Sequence, residues 1–136
     1  MREIKFRALD KIDKKIYKVI GIDWYDKTCK VQSDDYEFRE LNDSIFDDLI
    51  FIQFTGLKAN GKEIYEGDMI KISDSDMEYF PEDGEDFIVK WFKDCCGFWI
   101  WHIESNRWWD GDMNPFSYEP EIEIIGNIYE NPELIK

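Results

Sequence analysis

The sequence is poor in the residues that usually announce a site. It holds one histidine, His102, and three cysteines, Cys29, Cys95 and Cys96. A four-ligand zinc site would need all of them, and the adjacent pair Cys95-Cys96 lacks the CxxC spacing of zinc and redox motifs. An odd cysteine count without a secretory leader argues against a disulfide framework and fits a reducing, cytoplasmic compartment. No apolar run approaches the roughly 18–20 residues of a membrane-spanning helix. The chain is charged from Arg2 and Glu3 onward, so secretion is not expected. There is no phosphate-cradling glycine loop, no GxSxG elbow and no HExxH helix. Basic residues are scarce too, 17 against 31 acidic ones, for a net charge of −14. Gripping nucleic-acid phosphates needs a basic surface, so direct nucleic-acid binding is not expected. Such a charge serves a basic partner, or solubility alone.

What the chain has in quantity is aromatic side chains, 17% of its 136 residues, which fill a small core with few positions. That length suits one domain, or a small domain with an added lobe. Ile4-Lys5-Phe6-Arg7-Ala8 alternates and predicts a strand, with Ile16–Ile20 returning as its hairpin partner and Gly21 ending it. Ile22–Tyr25 and Cys29–Gln32 predict a second hairpin around Asp26-Lys27-Thr28. Residues 33–48 form an acidic connector with a short helix near Ser44–Leu49. Leu49–Phe54 is apolar but for Gln53 and predicts a strand buried on both faces. Later strands are predicted at Met69–Ile72, Phe87–Phe92, Phe98–Ile103 and Glu121–Tyr129. Five short antiparallel strands from Leu49 onward predict an SH3-like barrel over residues 49–136, with the 1–48 hairpin lobe added to it.

Between the first two of those five strands lies the densest turn chemistry. Gly56 can end a strand, Asn60-Gly61 is the strongest short hairpin signal, and Glu66-Gly67-Asp68 makes another turn. Asp68 reads as a structural turn residue whose carboxylate accepts backbone N–H groups. The run from Phe54 to Ile70, with its Gly-Lys-Glu-Ile-Tyr-Glu-Gly-Asp centre, resembles the signature of the YopX family of phage and prophage proteins. The start, Met1-Arg2-Glu3-Ile4-Lys5-Phe6-Arg7-Ala8, resembles that family's start. The segment Ile124–Leu134, containing Gly126-Asn127-Ile128-Tyr129-Glu130-Asn131-Pro132, is similar to its close. The family commonly has Trp where Leu9 stands, and often Asp-Lys near Lys58-Ala59. The resemblance implies a β-rich phage accessory protein and carries over no catalytic residues.

Each candidate chemistry has a plain structural counterpart. His102 beside Trp101 is expected to pack or face solvent, with a Cys–His nucleophile pair involving Cys95 or Cys96 as the sharper reading. Asp74, Asp76, Glu78 and Glu85 fall at positions 1, 3, 5 and 12 of an EF-hand frame. Tyr79 at the glycine position, and Pro81 inside the frame, reject it. No metal or other cofactor is expected. Trp108-Trp109 and Tyr118, in the 104–120 loop, are read as a partner-facing aromatic rim or as packing. Asp74, Asp76 and Glu78 are its acidic counterpart. The function expected is non-catalytic: an accessory binding or assembly module that contacts itself, or a host or phage protein. The alternative is an acidic, nucleic-acid-mimicking decoy for a host nucleic-acid-binding protein, and an enzyme using a thiol or a carboxylate pair ranks last.

Overall fold

The computed structural model describes residues 3–32, 38–41, 43–73, 85–109, 116 and 121–135. The described residues form two antiparallel sheets with very little helix, and the chain divides into two units, Met1–Phe54 and Thr55–Lys136. The order of pairing in each sheet ends on strands that are not partnered to each other, so no closed barrel forms among the described residues. No helix among them is long and apolar enough to cross a membrane.

The first unit contains β1 (Phe6–Asp10), β2 (Ile16–Asp23), β3 (Thr28–Gln32), β4 (Phe38–Leu41), the single-turn helix α1 (Asp43–Phe46) and the start of β5 (Leu49–Ala59). The strands lie in the order β4-β3-β2-β1-β5. Alternation sets the faces: Cys29 and Val31 are buried on one side of β3 while Lys30 is exposed on the other. Opposite residues share a face, so Cys29 meets Leu41 and Val31 meets Val19 on the buried side. Phe46 of α1 and Leu49 complete that core with Tyr17. β4 lies in what the sequence presents as an acidic connector. Gly21 does not end β2: Val19 faces Val31 and Gly21 faces Lys30, leaving Ile20 as the extra residue of a β-bulge. Asp10 is buried because its Oδ1 accepts the Ile12 N–H at 2.8 Å, closing the β1–β2 turn.

The second unit contains the far part of β5, β6 (Lys62–Tyr65), β7 (Asp68–Ser73), β8 (Glu85–Phe92), β9 (Gly97–His102), β10 (Arg107–Trp108) and β11 (Glu121–Asn127). β5 runs on through Thr55-Gly56 to Ala59 rather than ending there. Gly56 takes a φ of 89°, and Thr55 Oγ1 donates to the Ile64 carbonyl at 2.8 Å while accepting the Leu57 N–H. The turn to β6 is made by Asn60 and Gly61 at φ 52° and 79°. β7 to β11 form a sheet in the order β10-β9-β8-β7-β11. One of its faces places Ile70, Ile72, Phe87, Val89, Phe98 and Ile100 in a core with Ala59 and Ile64 of the β5–β6 hairpin. β10 falls inside the stretch that the sequence presents as loop.

Candidate functional site

The turn-rich stretch and the chain's closing segment meet, and they build one another. Gly67 sits at φ 88° in the β6–β7 turn. Its N–H donates to the Val89 carbonyl at 2.8 Å, and its own carbonyl accepts the Ile128 N–H at 2.9 Å. Asp68 is 5% exposed and its Oδ2 accepts the Tyr65 N–H at 2.8 Å. A Cβ on Gly67 would stand 2.9 Å from Tyr129 Cε2, and one on Gly126 would stand 2.6 Å from Asn131 Oδ1. That amide oxygen accepts the Asn127 N–H, while Asn127 Oδ1 accepts from Tyr129 and Glu130. The Glu-Gly-Asp and Gly-Asn-Ile-Tyr-Glu-Asn pieces are thus two halves of one backbone clasp. Burial raises the Glu66 carboxyl above its usual range, and burial together with Glu66 raises the Tyr129 phenol.

The tryptophans read from sequence as a rim separate in the structure. Trp109 is 7% exposed and tilts against Trp99, whose Nε1–H donates to the Trp109 carbonyl at 2.9 Å. It is a core residue, so a partner-facing role for its side chain is set aside. Trp108 is half-buried, stacked on Phe92 with centroids 4.3 Å apart and edge-on to Trp101. Trp101 also carries the Lys90 ammonium over its ring at 4.4 Å. Tyr118, Asp74, Asp76 and Glu78 lie outside the described residues. Gly56, Gly61 and Gly67 all occupy left-handed backbone, and Asp68 holds its turn.

The most exposed aromatics among the described residues lie instead in the first unit, ahead of Trp91 at 47% in the second. Trp24 is 62% exposed and Tyr25 95%, both in the turn between β2 and β3, and Phe38 on β4 is 68% exposed. Trp24 is not loose: it packs edge-on against Phe51 at 5.3 Å and Phe46 at 5.9 Å. The sequence reading missed this pair by placing Trp24 and Tyr25 at the end of a strand. The Asp26-Lys27-Thr28 turn signal beside them was the available clue. A shallow groove of about 390 Å³ runs over the same unit, lined by Ile20, Gly21, Asp23, Lys30 and Glu40 among others.

His102 pairs with neither Cys95 nor Cys96. Its Nδ1 accepts the Ser105 N–H at 3.2 Å and contacts Ser105 Oγ, and its Nε2 lies 3.2 Å from Glu85 Oε2. The ring packs on Phe87 with centroids 5.2 Å apart. Glu85, His102 and Ser105 outline an acid–base–hydroxyl series, yet the Nδ1 lone pair is already spent closing the β9–β10 turn. Cys29 is buried in the first unit's core, where desolvation pushes its thiol up to about 11. Cys95 and Cys96 are exposed. Among the described residues no three His, Cys, Asp or Glu side chains gather as metal ligands.

Solved structures share the fold. Protein EF1440 from Enterococcus faecalis superposes with a TM-score of 0.62 at 20% identity, and protein yopX from Bacillus subtilis with 0.58 at 21%. In both, 100% of this chain and 100% of the other are covered. No curated protein matches. The YopX protein family model matches residues 5–136, so nearly the whole chain, including both halves of the clasp, belongs to the YopX family.

Proposed function

We propose that this chain is a phage-encoded accessory module, working in the bacterial cytoplasm, that acts by protein–protein contact and performs no catalysis. The observation that supports this reading is Trp24. It is pinned by Phe46 and Phe51 and still offers most of its surface to solvent, with Tyr25 and Phe38 exposed in the same unit. A rigid exposed aromatic loses little conformational freedom on binding, which is the property of interface anchors. The turn-rich motif is consumed in backbone clasping, which leaves it a scaffold role. We read the second unit as an SH3-like arrangement, in which the β5–β6 hairpin lies over the face of the β7–β11 sheet.

Light scattering over a wide concentration range, with affinity capture from host lysate, tests the proposal. Self-association, or a captured protein, should be lost in a Trp24→Ala, Tyr25→Ala double variant. A strict monomer that captures nothing sinks the reading.

One observation supports the decoy as a second reading. Met1–Phe54 holds ten basic and twelve acidic residues, whereas Thr55–Lys136 holds seven and nineteen. Nearly all of the surplus negative charge is therefore concentrated in one unit, as a polyanion mimic requires. Neutralising Asp74, Asp76 and Glu78 should then abolish competition with duplex DNA for a basic protein. Undiminished competition would end that idea.

A further inference from the structure

We propose that Cys95 and Cys96, at the tip of the β8–β9 hairpin, form a two-sulfur site for a thiophilic centre of the trivalent arsenic class. This goes beyond the contact function proposed above and does not depend on it.

Both thiols are exposed and free, whereas the third, Cys29, is sealed in a core. Cys95 ends a 3-10 turn over Lys93–Cys95, and Cys96 follows in left-handed backbone at φ 50°, ψ 44°. The Cys96 N–H and Sγ both reach the Lys93 carbonyl, at 3.2 and 3.5 Å, so the tip is a formed turn. Consecutive Cα atoms stand ~3.8 Å apart across a trans peptide, and disulfides prefer about 4.4–6.8 Å. Closing these two sulfurs on each other is therefore strained. Adding an atom between them enlarges the ring and relieves the strain. Thiolate sulfur is a soft donor suited to a soft centre. A single thiol would bind such a centre weakly. The second acts at high effective concentration once the first is attached.

The reaction balances without an oxidant. An organoarsenic(III) oxide, R–As=O, plus two Cys–SH gives R–As(S-Cys)₂ and one water. Two S–H bonds and the As=O bond are replaced by two As–S bonds, and both protons leave in the water.

The test uses the full chain, reduced, with phenylarsine oxide as the probe and intact mass as the readout. One phenylarsenic group per chain, with loss of two hydrogens, is expected, and it should be removed by 1,2-ethanedithiol. Cys95→Ser and Cys96→Ser should each weaken binding by about a hundredfold. Cys29→Ser should leave it unchanged, and circular dichroism should show each variant folded. The proposal is overturned if the wild-type chain takes no probe, if either single serine variant binds as tightly, or if Cys29→Ser abolishes the adduct.

Discussion

Gly67 and Tyr129 touch in a way that no other residue at position 67 permits: a Cβ there would lie 2.9 Å from Tyr129 Cε2, on a backbone at φ 88°. Two separate penalties are therefore stacked at this position, left-handed strain and steric overlap with the clasp.

Gly61 separates them. It has a φ of 79°, but an added Cβ would meet nothing within 4 Å. Gly61→Ala should cost about 1 kcal/mol through backbone strain alone. Gly67→Ala should cost about 2–4 kcal/mol, because packing must also yield. Urea denaturation of the two variants, compared at equal slope, checks the difference.

Asp68 should tolerate amidation better than truncation. Its carboxylate accepts the buried Tyr65 N–H, and Asn keeps a carbonyl oxygen there. Asp68→Ala leaves a buried donor without its partner and should cost about 1–3 kcal/mol. Asp68→Asn should cost clearly less, as read from the same denaturation midpoints.

Glu66 gives a dependence on pH. Burial raises its carboxyl in the folded chain, so the folded state binds that proton more tightly than the unfolded one. At low pH, with the group protonated in both states, it costs nothing. As pH rises through the ordinary carboxylate range a penalty develops, complete once pH passes the folded value. Glu66→Gln should therefore stabilise the protein at pH 7, and the gain should vanish below about pH 4. Thermal midpoints of both chains across pH 3–8 test the sign; a variant less stable at neutral pH would contradict it.

Trp108 and Trp109 should separate under alanine substitution. Trp109→Ala removes a buried core ring and should cost about 3–5 kcal/mol. Trp108→Ala removes a half-buried ring stacked on Phe92, and about 1–2 kcal/mol is expected. Equal losses would mean that both rings serve the core alike.

The β character of the chain was legible because alternation and turn chemistry agree. Asn60-Gly61 and Glu66-Gly67-Asp68 turn where their residue types demand. The misjudged places have physical causes. Thr55-Gly56 reads as a stop, but Thr55's hydroxyl bonds the Ile64 carbonyl and the Leu57 N–H, and β5 continues to Ala59. Gly21 also reads as a stop, but a bulge absorbs it inside β2. Arg107-Trp108 is too short for a periodicity to show, and its strand exists only because β9 offers a partner. Trp109's burial was not legible at all. It depends on Trp99, ten positions earlier, donating to its carbonyl. The clasp between Gly67 and Tyr129 joins positions far apart in sequence. Single-chain patterning marks the Gly67 end as a turn and the Tyr129 end as the close of a strand, without revealing that they meet.

Every pairing between neighbouring strands in the described sheets is a step to the next strand along the chain, with two exceptions: β1 with β5 in one unit, β7 with β11 in the other. Hairpins of the first kind zip quickly, since little chain entropy is lost in bringing their ends together. Each unit therefore finishes on one slow, long-range closure. On a ribosome, the second of these waits for residues 121–127 to emerge, and until then β7 presents an unpaired strand edge. Nascent chains stalled before Glu121 should be the ones that chaperones hold.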